Sequence, residues 1–91
     1  MTRQTIIILL MILFLPMPAM AASMHDLVEE GNKAYEEARY DDALARYEQA
    51  AKKDPDQPQA YFNRGNALYR QEKFSQAISA YEQAAGKSRD N

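Results

Sequence analysis

The chain reads as an all-α protein, two tandem antiparallel helix pairs stacked as an α-solenoid, and three observations predict that class. Aligned against itself, the stretch 31–51 repeats at 65–85 with nine identities and no gap. A fixed period between about 20 and 50 residues marks stacked supersecondary units that bury their apolar faces against one another. Within each unit the apolar residues recur at helical spacing, in two faces separated by a short break. Small and large residues alternate along those faces, as interdigitating side chains require.

The N-terminal segment stands apart from the repeats. Its first five residues carry one Arg and no acid, Ile6 to Leu15 is an unbroken apolar run, and Pro16 to Ala22 is uncharged. That layout predicts a secretory signal peptide over residues 1–21, with Ala19-Met20-Ala21 as the cleavage site. A spanning helix needs roughly 20 apolar residues. This run extends to Ala22 only by including Pro16 and Pro18, and still falls short, so export to the periplasm with cleavage is favoured over the alternative, a retained membrane anchor. Cleavage leaves Ala22 to Asn91, a chain without a single cysteine. Disulfides, thiolate sites and lipid attachment at a cysteine are thereby closed, and a core of this size is marginal without partners.

The first unit is expected over residues 24–57. Leu27, Gly31, Ala34 and Ala38 form one helical face, and after a short break Tyr40, Ala43, Leu44, Tyr47, Ala50 and Ala51 form a second. Gly31 and Ala43 are small where the two helices approach, while Tyr40 and Tyr47 fill the space beside them. Asp54-Pro55-Asp56 stops the second helix, because a proline lacks the N–H to continue it and disfavours helical dihedrals in the residue before. Pro58 suits the first turn of the next helix, with Asp56 or Gln57 near its cap. The second unit, 58–91, repeats the pattern with Tyr61, Gly65 and Leu68, then Phe74, Ala77, Ile78, Tyr81, Ala84 and Ala85. Gly86 and the polar tail Lys87 to Asn91 are expected to end it.

Both units resemble tetratricopeptide repeats, which are about 34 residues long and whose pattern runs W-x2-L-G-x2-Y, then A-x3-F, then P. Here the first reads Leu27-x2-Glu30-Gly31-x2-Ala34, Ala43-x3-Tyr47 and Pro55; the second reads Tyr61-x2-Arg64-Gly65-x2-Leu68 and Ala77-x3-Tyr81. The departures fall at the large positions of the first helices and where Glu30 and Arg64 replace Leu. The resemblance covers most of the chain after the leader and implies right-handed superhelical stacking and a protein-binding role. A leader followed by Glu29 to Glu36 (EEGNKAYE) and Phe62 to Gln71 (FNRGNALYRQ) is also similar to the periplasmic tetratricopeptide proteins of bacterial aerotolerance (Bat-type) operons.

The family's ligand-contacting positions lie on the first helices, which line the concave surface. By resemblance they are His25, Val28, Asn32, Tyr35 and Glu36 in the first repeat and Gln59, Phe62, Asn66, Tyr69 and Arg70 in the second, with Asn63 alongside. Of these, Asn32, Tyr35, Phe62, Asn63, Asn66, Tyr69 and Arg70 are the candidate peptide-binding residues. Amides that donate and accept, flanked by aromatic faces, suit an extended peptide backbone. Asn32 and Asn66 serve equally well to satisfy nearby helix or turn groups, and Tyr35 and Tyr69 to pack against neighbours. The carboxylate clamp of chaperone-binding members is not expected, because Val28 stands at its Lys position. Phe74, Ile78 and Tyr81 on the last helix, with Ala84 and Ala85, are expected to leave apolar surface open as a partner-docking face.

Charge and chemistry exclude other classes. The chain is near neutral at −2, against the basic footprint of a nucleic-acid binder. Asp26 to Asp56 holds ten acids and five bases while Gln57 to Asn91 holds three and five, ordinary for solvated helix faces and equally compatible with head-to-tail homo-oligomers. No enzyme, cofactor or metal role is expected. His25 is the only histidine, Ser75 and Ser79 have no base beside them, Asp54-x-Asp56 lacks a calcium-loop continuation, and the three glycines form no phosphate loop. The sequence thus points to an exported interaction module that binds a peptide or an envelope protein. The alternatives are a self-associating structural repeat or a fragment of a longer repeat protein.

Overall fold

A computed structural model of the chain describes residues 21–90. The expected signal peptide, residues 1–21, lies outside the described residues except for Ala21. Four helices follow in order: α1 (Met24–Glu36), α2 (Tyr40–Lys53), α3 (Pro58–Arg70) and α4 (Phe74–Asp90). The protein is all-α, as the repeat period predicts. Among the described residues no helix is long and apolar enough to cross a membrane.

Local chemistry accounts for each boundary. Ser23 caps α1 through a capping box: its Oγ accepts from the Asp26 N–H at 3.1 Å, and Asp26 Oδ2 accepts from the Ser23 N–H at 3.2 Å. These hydrogen bonds hold the Asp26 carboxyl below its ordinary pKa. Asp41 and Asp42 sit in the first turn of α2 and Lys52 and Lys53 in its last, each complementing the helix dipole. Asp54-Pro55 ends α2, and Pro58 occupies the first turn of α3 behind Gln57.

The structure departs from the sequence pattern at Ala38 and at Gly86. Ala38 does not belong to the buried face of the first helix. It lies beyond the helix end, exposed, with a positive φ of 61°. The Ala38 N–H donates to the Tyr35 carbonyl and the Arg39 N–H to the Ala34 carbonyl, the two bonds of a Schellman turn, and this geometry overrides helical spacing. Glu72 repeats the feature at the equivalent position of the second unit, at φ 62°. Gly86, expected to end the last helix, lies within α4, which continues to Asp90. Its φ is not positive, so it does not act as a cap. One interior glycine costs about 1 kcal/mol, too little to break a helix whose following polar residues are helix-compatible.

The helices pack in sequence, α1 on α2, α2 on α3, α3 on α4, with a smaller contact between α1 and α3. Alanine dominates the interfaces: Ala43, Ala50, Ala60, Ala67 and Ala80 are fully buried. Where the pairs come closest, glycine is required. A β-carbon on Gly31 would lie 2.5 Å from Tyr47 Cε1, and one on Gly65 would lie 2.6 Å from Tyr81 Cε1. Leu27, Val28, Ala50, Ala51, Ala60, Tyr61 and Ala84 form one core cluster that draws on all four helices.

Candidate protein-binding surface

The candidate amides are tied into the scaffold by the tyrosines of the second helices. The Tyr47 hydroxyl donates to Asn32 Oδ1 at 2.6 Å, and the Tyr81 hydroxyl donates to Asn66 Oδ1 at the same distance. Asn63 Nδ2 also donates to Asn32 Oδ1, at 3.3 Å, joining the two repeats. Both Asn32 and Asn66 are half-buried, so they hold the fold as well as face the surface, and Asn66 is not the unpaired amide a purely ligand-facing role implies. Burial pushes the Tyr47 hydroxyl up to about 12, with the nearby Tyr35 and Glu36 adding to the shift. It moves the Tyr81 hydroxyl upward as well.

The aromatic residues pair across helices with the same period as the sequence. Tyr35 meets Tyr40 edge-on at 5.5 Å between ring centroids, and Tyr69 meets Phe74 in the same way at 5.3 Å. Arg70 links the repeats: its Nε donates to the Tyr35 hydroxyl at 3.0 Å, and its guanidinium carbon lies 5.9 Å from the Tyr35 ring centre. Phe62 packs against Tyr81 at 5.6 Å in a tilted arrangement.

These contacts merge two groups of residues that the sequence assigns to separate surfaces. Phe62 and Tyr69 of the concave set touch Tyr81 and Phe74 of the docking set, one aromatic pair at each end of α3. Phe62, Tyr69, Phe74 and Ile78 are each more than half exposed, the large apolar side chains left open to solvent among the described residues. Between α3 and α4 runs a groove of about 630 Å³ lined by Pro58, Gln59, Phe62, Tyr81, Ala84, Ala85 and Ser88. The open surface is therefore concentrated on repeat two, next to the last helix.

Repeat one contributes less to it. Val28, a ligand-contacting position by resemblance, is 1% exposed and belongs to the core. Its equivalent in the second repeat, Phe62, is 51% exposed; α3 covers the first repeat and nothing among the described residues covers the second. Tyr35 is half-buried beneath Arg70, while His25 and Glu36 remain exposed. His25 approaches Glu29 at 3.1 Å on the same exposed helix face. Pro58 and Ser88 were not among the sequence candidates for binding; the signal for them lay in repeat position, since they are the second-repeat equivalents of Met24 and Asp54. Ala85 is exposed on the last helix as expected, but Ala84 is only 6% exposed, because it packs into the core cluster with Ala60 and Tyr61.

The surface has aromatic faces, amides and one guanidinium, and among the described residues no group of three or more His, Asp or Glu gathers as a metal site. No curated protein matches the chain. A family model described as tetratricopeptide repeat matches residues 28–91, the span that holds the two glycine–tyrosine contacts and both tyrosine–asparagine bonds. Helix pairs repeated at a fixed period, a small residue seated under a tyrosine in each, and this match together place the chain in the tetratricopeptide repeat family, whose members are generally protein-binding and typically non-catalytic.

Proposed function

We propose that the protein is an exported adaptor that binds a peptide or a loop of an envelope protein through the surface of α3 and the adjoining side of α4. The observation that carries this reading is the exposure of Phe62, Tyr69, Phe74 and Ile78, each more than half open to solvent on repeat two, with Phe62 paired to Tyr81 and Tyr69 to Phe74 across α3 and α4. Several large apolar side chains left exposed on one repeat of a small protein mark an interaction site. Asn63, Asn66 and Arg70 supply the polar groups that orient a backbone; Asn32 anchors Asn63 and Tyr35 anchors Arg70 from repeat one, while the Tyr81 hydroxyl holds Asn66. The leader layout of residues 1–21 and the similarity to Bat-type periplasmic proteins support export.

Two measurements test the reading. Mass spectrometry of the protein recovered after expression in a bacterial host is expected to find an N-terminus at Ala22 in the periplasmic fraction; an intact Met1 on membrane-embedded material would replace export of a free protein with anchoring. Panning a random extended-peptide display library against the full chain is expected to select peptides that lose binding at least tenfold on Tyr69→Ala. Failure to select any peptide, or selected peptides indifferent to Tyr69→Ala and Phe62→Ala, overturns the concave-surface reading.

A further inference from the structure

Among the described residues the stack covers one face of α2 and leaves the corresponding face of α4 open, and the two faces are built from the same residues. Ala50, Ala51 and Tyr47, with Asn32 and Tyr35 beside them, receive α3. One repeat later these become Ala84, Ala85, Tyr81, Asn66 and Tyr69, all five identical. Covered by α3, Ala51 is 9% and Tyr47 2% exposed. Their counterparts Ala85 and Tyr81 are exposed and half-buried.

The helix that occupies the first face shows what the second accepts. α3 contributes Ala60 to the core cluster that holds Ala50 and Ala51, and Ala67 to the one that holds Tyr47, both alanines fully buried. Its Asn63 donates to Asn32 Oδ1, and its Arg70 donates to the Tyr35 hydroxyl and lies over that ring. We infer that the α4 face, with Asn66 and Tyr69, binds an amphipathic helix of a partner protein that carries a small residue, an amide, a small residue and an arginine at i, i+3, i+7 and i+10. The small residues admit the helix against Ala84, Ala85 and Tyr81; the amide donates to Asn66 Oδ1, which the Tyr81 hydroxyl already holds in place; the arginine stacks on Tyr69. This assignment deepens the protein-binding reading and rests on it.

A second copy of the chain stacked head to tail does not meet these requirements. Its α1 carries Asp26, Glu29, Lys33 and Glu36 at the four positions. Docking would bury a carboxylate and an ammonium against alanine and a tyrosine ring, and would set acidic groups where an amide donor and a guanidinium are needed. Burial of charges without matched partners is strongly unfavourable. The outer face of α1 is polar at these four positions, while that of α4 is a receiving one.

The test uses a probe taken from this chain. A peptide of residues 57–71, stapled across positions 61 and 65 so that it stays helical with its α2-facing side free, is titrated against the full chain by fluorescence anisotropy. A peptide of residues 23–37, stapled at the corresponding positions 27 and 31, serves as control. The first peptide is expected to bind, the control to bind at least tenfold more weakly, and Asn63→Ala or Arg70→Glu in the first peptide to cost at least fivefold. Ala85→Arg in the protein, at an exposed position, is expected to abolish binding while the melting temperature holds. Equal affinity for the two peptides overturns the inference, as does binding that survives Ala85→Arg in a folded protein. Sedimentation showing a dimer that Ala85→Arg dissociates also overturns it, by making the occupant a second copy. If both helical probes fail while displayed extended peptides still bind through Tyr69, this inference falls and the adaptor reading stands.

Discussion

A β-carbon on Gly31 would lie 2.5 Å from Tyr47 Cε1, and Tyr47 cannot yield because it is 2% exposed and its hydroxyl is bonded to Asn32. Gly65 stands in the same relation to Tyr81 at 2.6 Å, but Tyr81 is half-buried and its outer side is open. Gly31→Ala is therefore expected to destabilise the protein by about 2–3 kcal/mol as an overpacking substitution, and Gly65→Ala by about 1 kcal/mol or less. Urea unfolding followed by circular dichroism reads the difference. Equal losses would show that Tyr81 is as firmly held as Tyr47.

Asn32 and Asn66 differ in the same direction. Removing Asn32 strands a buried tyrosine hydroxyl and the Asn63 amide, whereas removing Asn66 strands only the half-buried Tyr81 hydroxyl. Asn32→Ala is expected to cost about 2–3 kcal/mol and Asn66→Ala about 1 kcal/mol, given the usual cost of an unsatisfied group. A melting temperature that Asn32→Ala leaves unchanged would deny the inter-repeat hydrogen bond a structural role.

Alkaline pH should weaken the fold through Tyr47. Its pKa is about 12 in the folded chain against about 10 when unfolded. The neutral hydroxyl is thus preferred in the native state, and the resulting stabilisation is fully present below pH 10 and lost as pH rises towards 12. A shift of that size corresponds to on the order of 2–3 kcal/mol. Unfolding free energies measured from pH 9 to 12 are expected to fall more steeply for the wild-type chain than for Tyr47→Phe. Parallel slopes would remove Tyr47 from the account.

The turns after α1 and α3 each place a non-glycine residue in the left-handed region, Ala38 at φ 61° and Glu72 at φ 62°. That conformation costs an L-residue roughly 1 kcal/mol and glycine almost nothing. Ala38→Gly and Glu72→Gly are each expected to stabilise the protein by about 0.5–1 kcal/mol, and any departure from additivity in the double variant reads the coupling that the Gln71 Nε2 to Asp41 Oδ1 hydrogen bond provides between the neighbouring turns. Thermal unfolding of the single and double variants checks both the sign and the additivity.

The sequence by itself determined the period, the helix pairs and the residues that meet inside them. That Gly31 and Ala43 are small where the helices approach, with Tyr47 filling the space beside them, follows from spacing, because helical periodicity and a fixed repeat length constrain which side chains share a face. That Gly31 lies directly under Tyr47 and Gly65 under Tyr81 is set by how the two helices of each pair meet. Proline at 55 and 58 fixed the break between the repeats for an equally local reason. Tertiary structure decided what periodicity does not encode. Ala38 has the right spacing for a helix face, yet hydrogen bonds to the Tyr35 and Ala34 carbonyls draw it into a turn. Val28 and Phe62 occupy one repeat position, yet one is core and the other surface, since burial depends on which helix lies over the site. Asn66 looks free for a ligand until the Tyr81 hydroxyl is found on it, and Phe62 and Tyr69 look separate from Tyr81 and Phe74 until the packing of α3 on α4 pairs their rings.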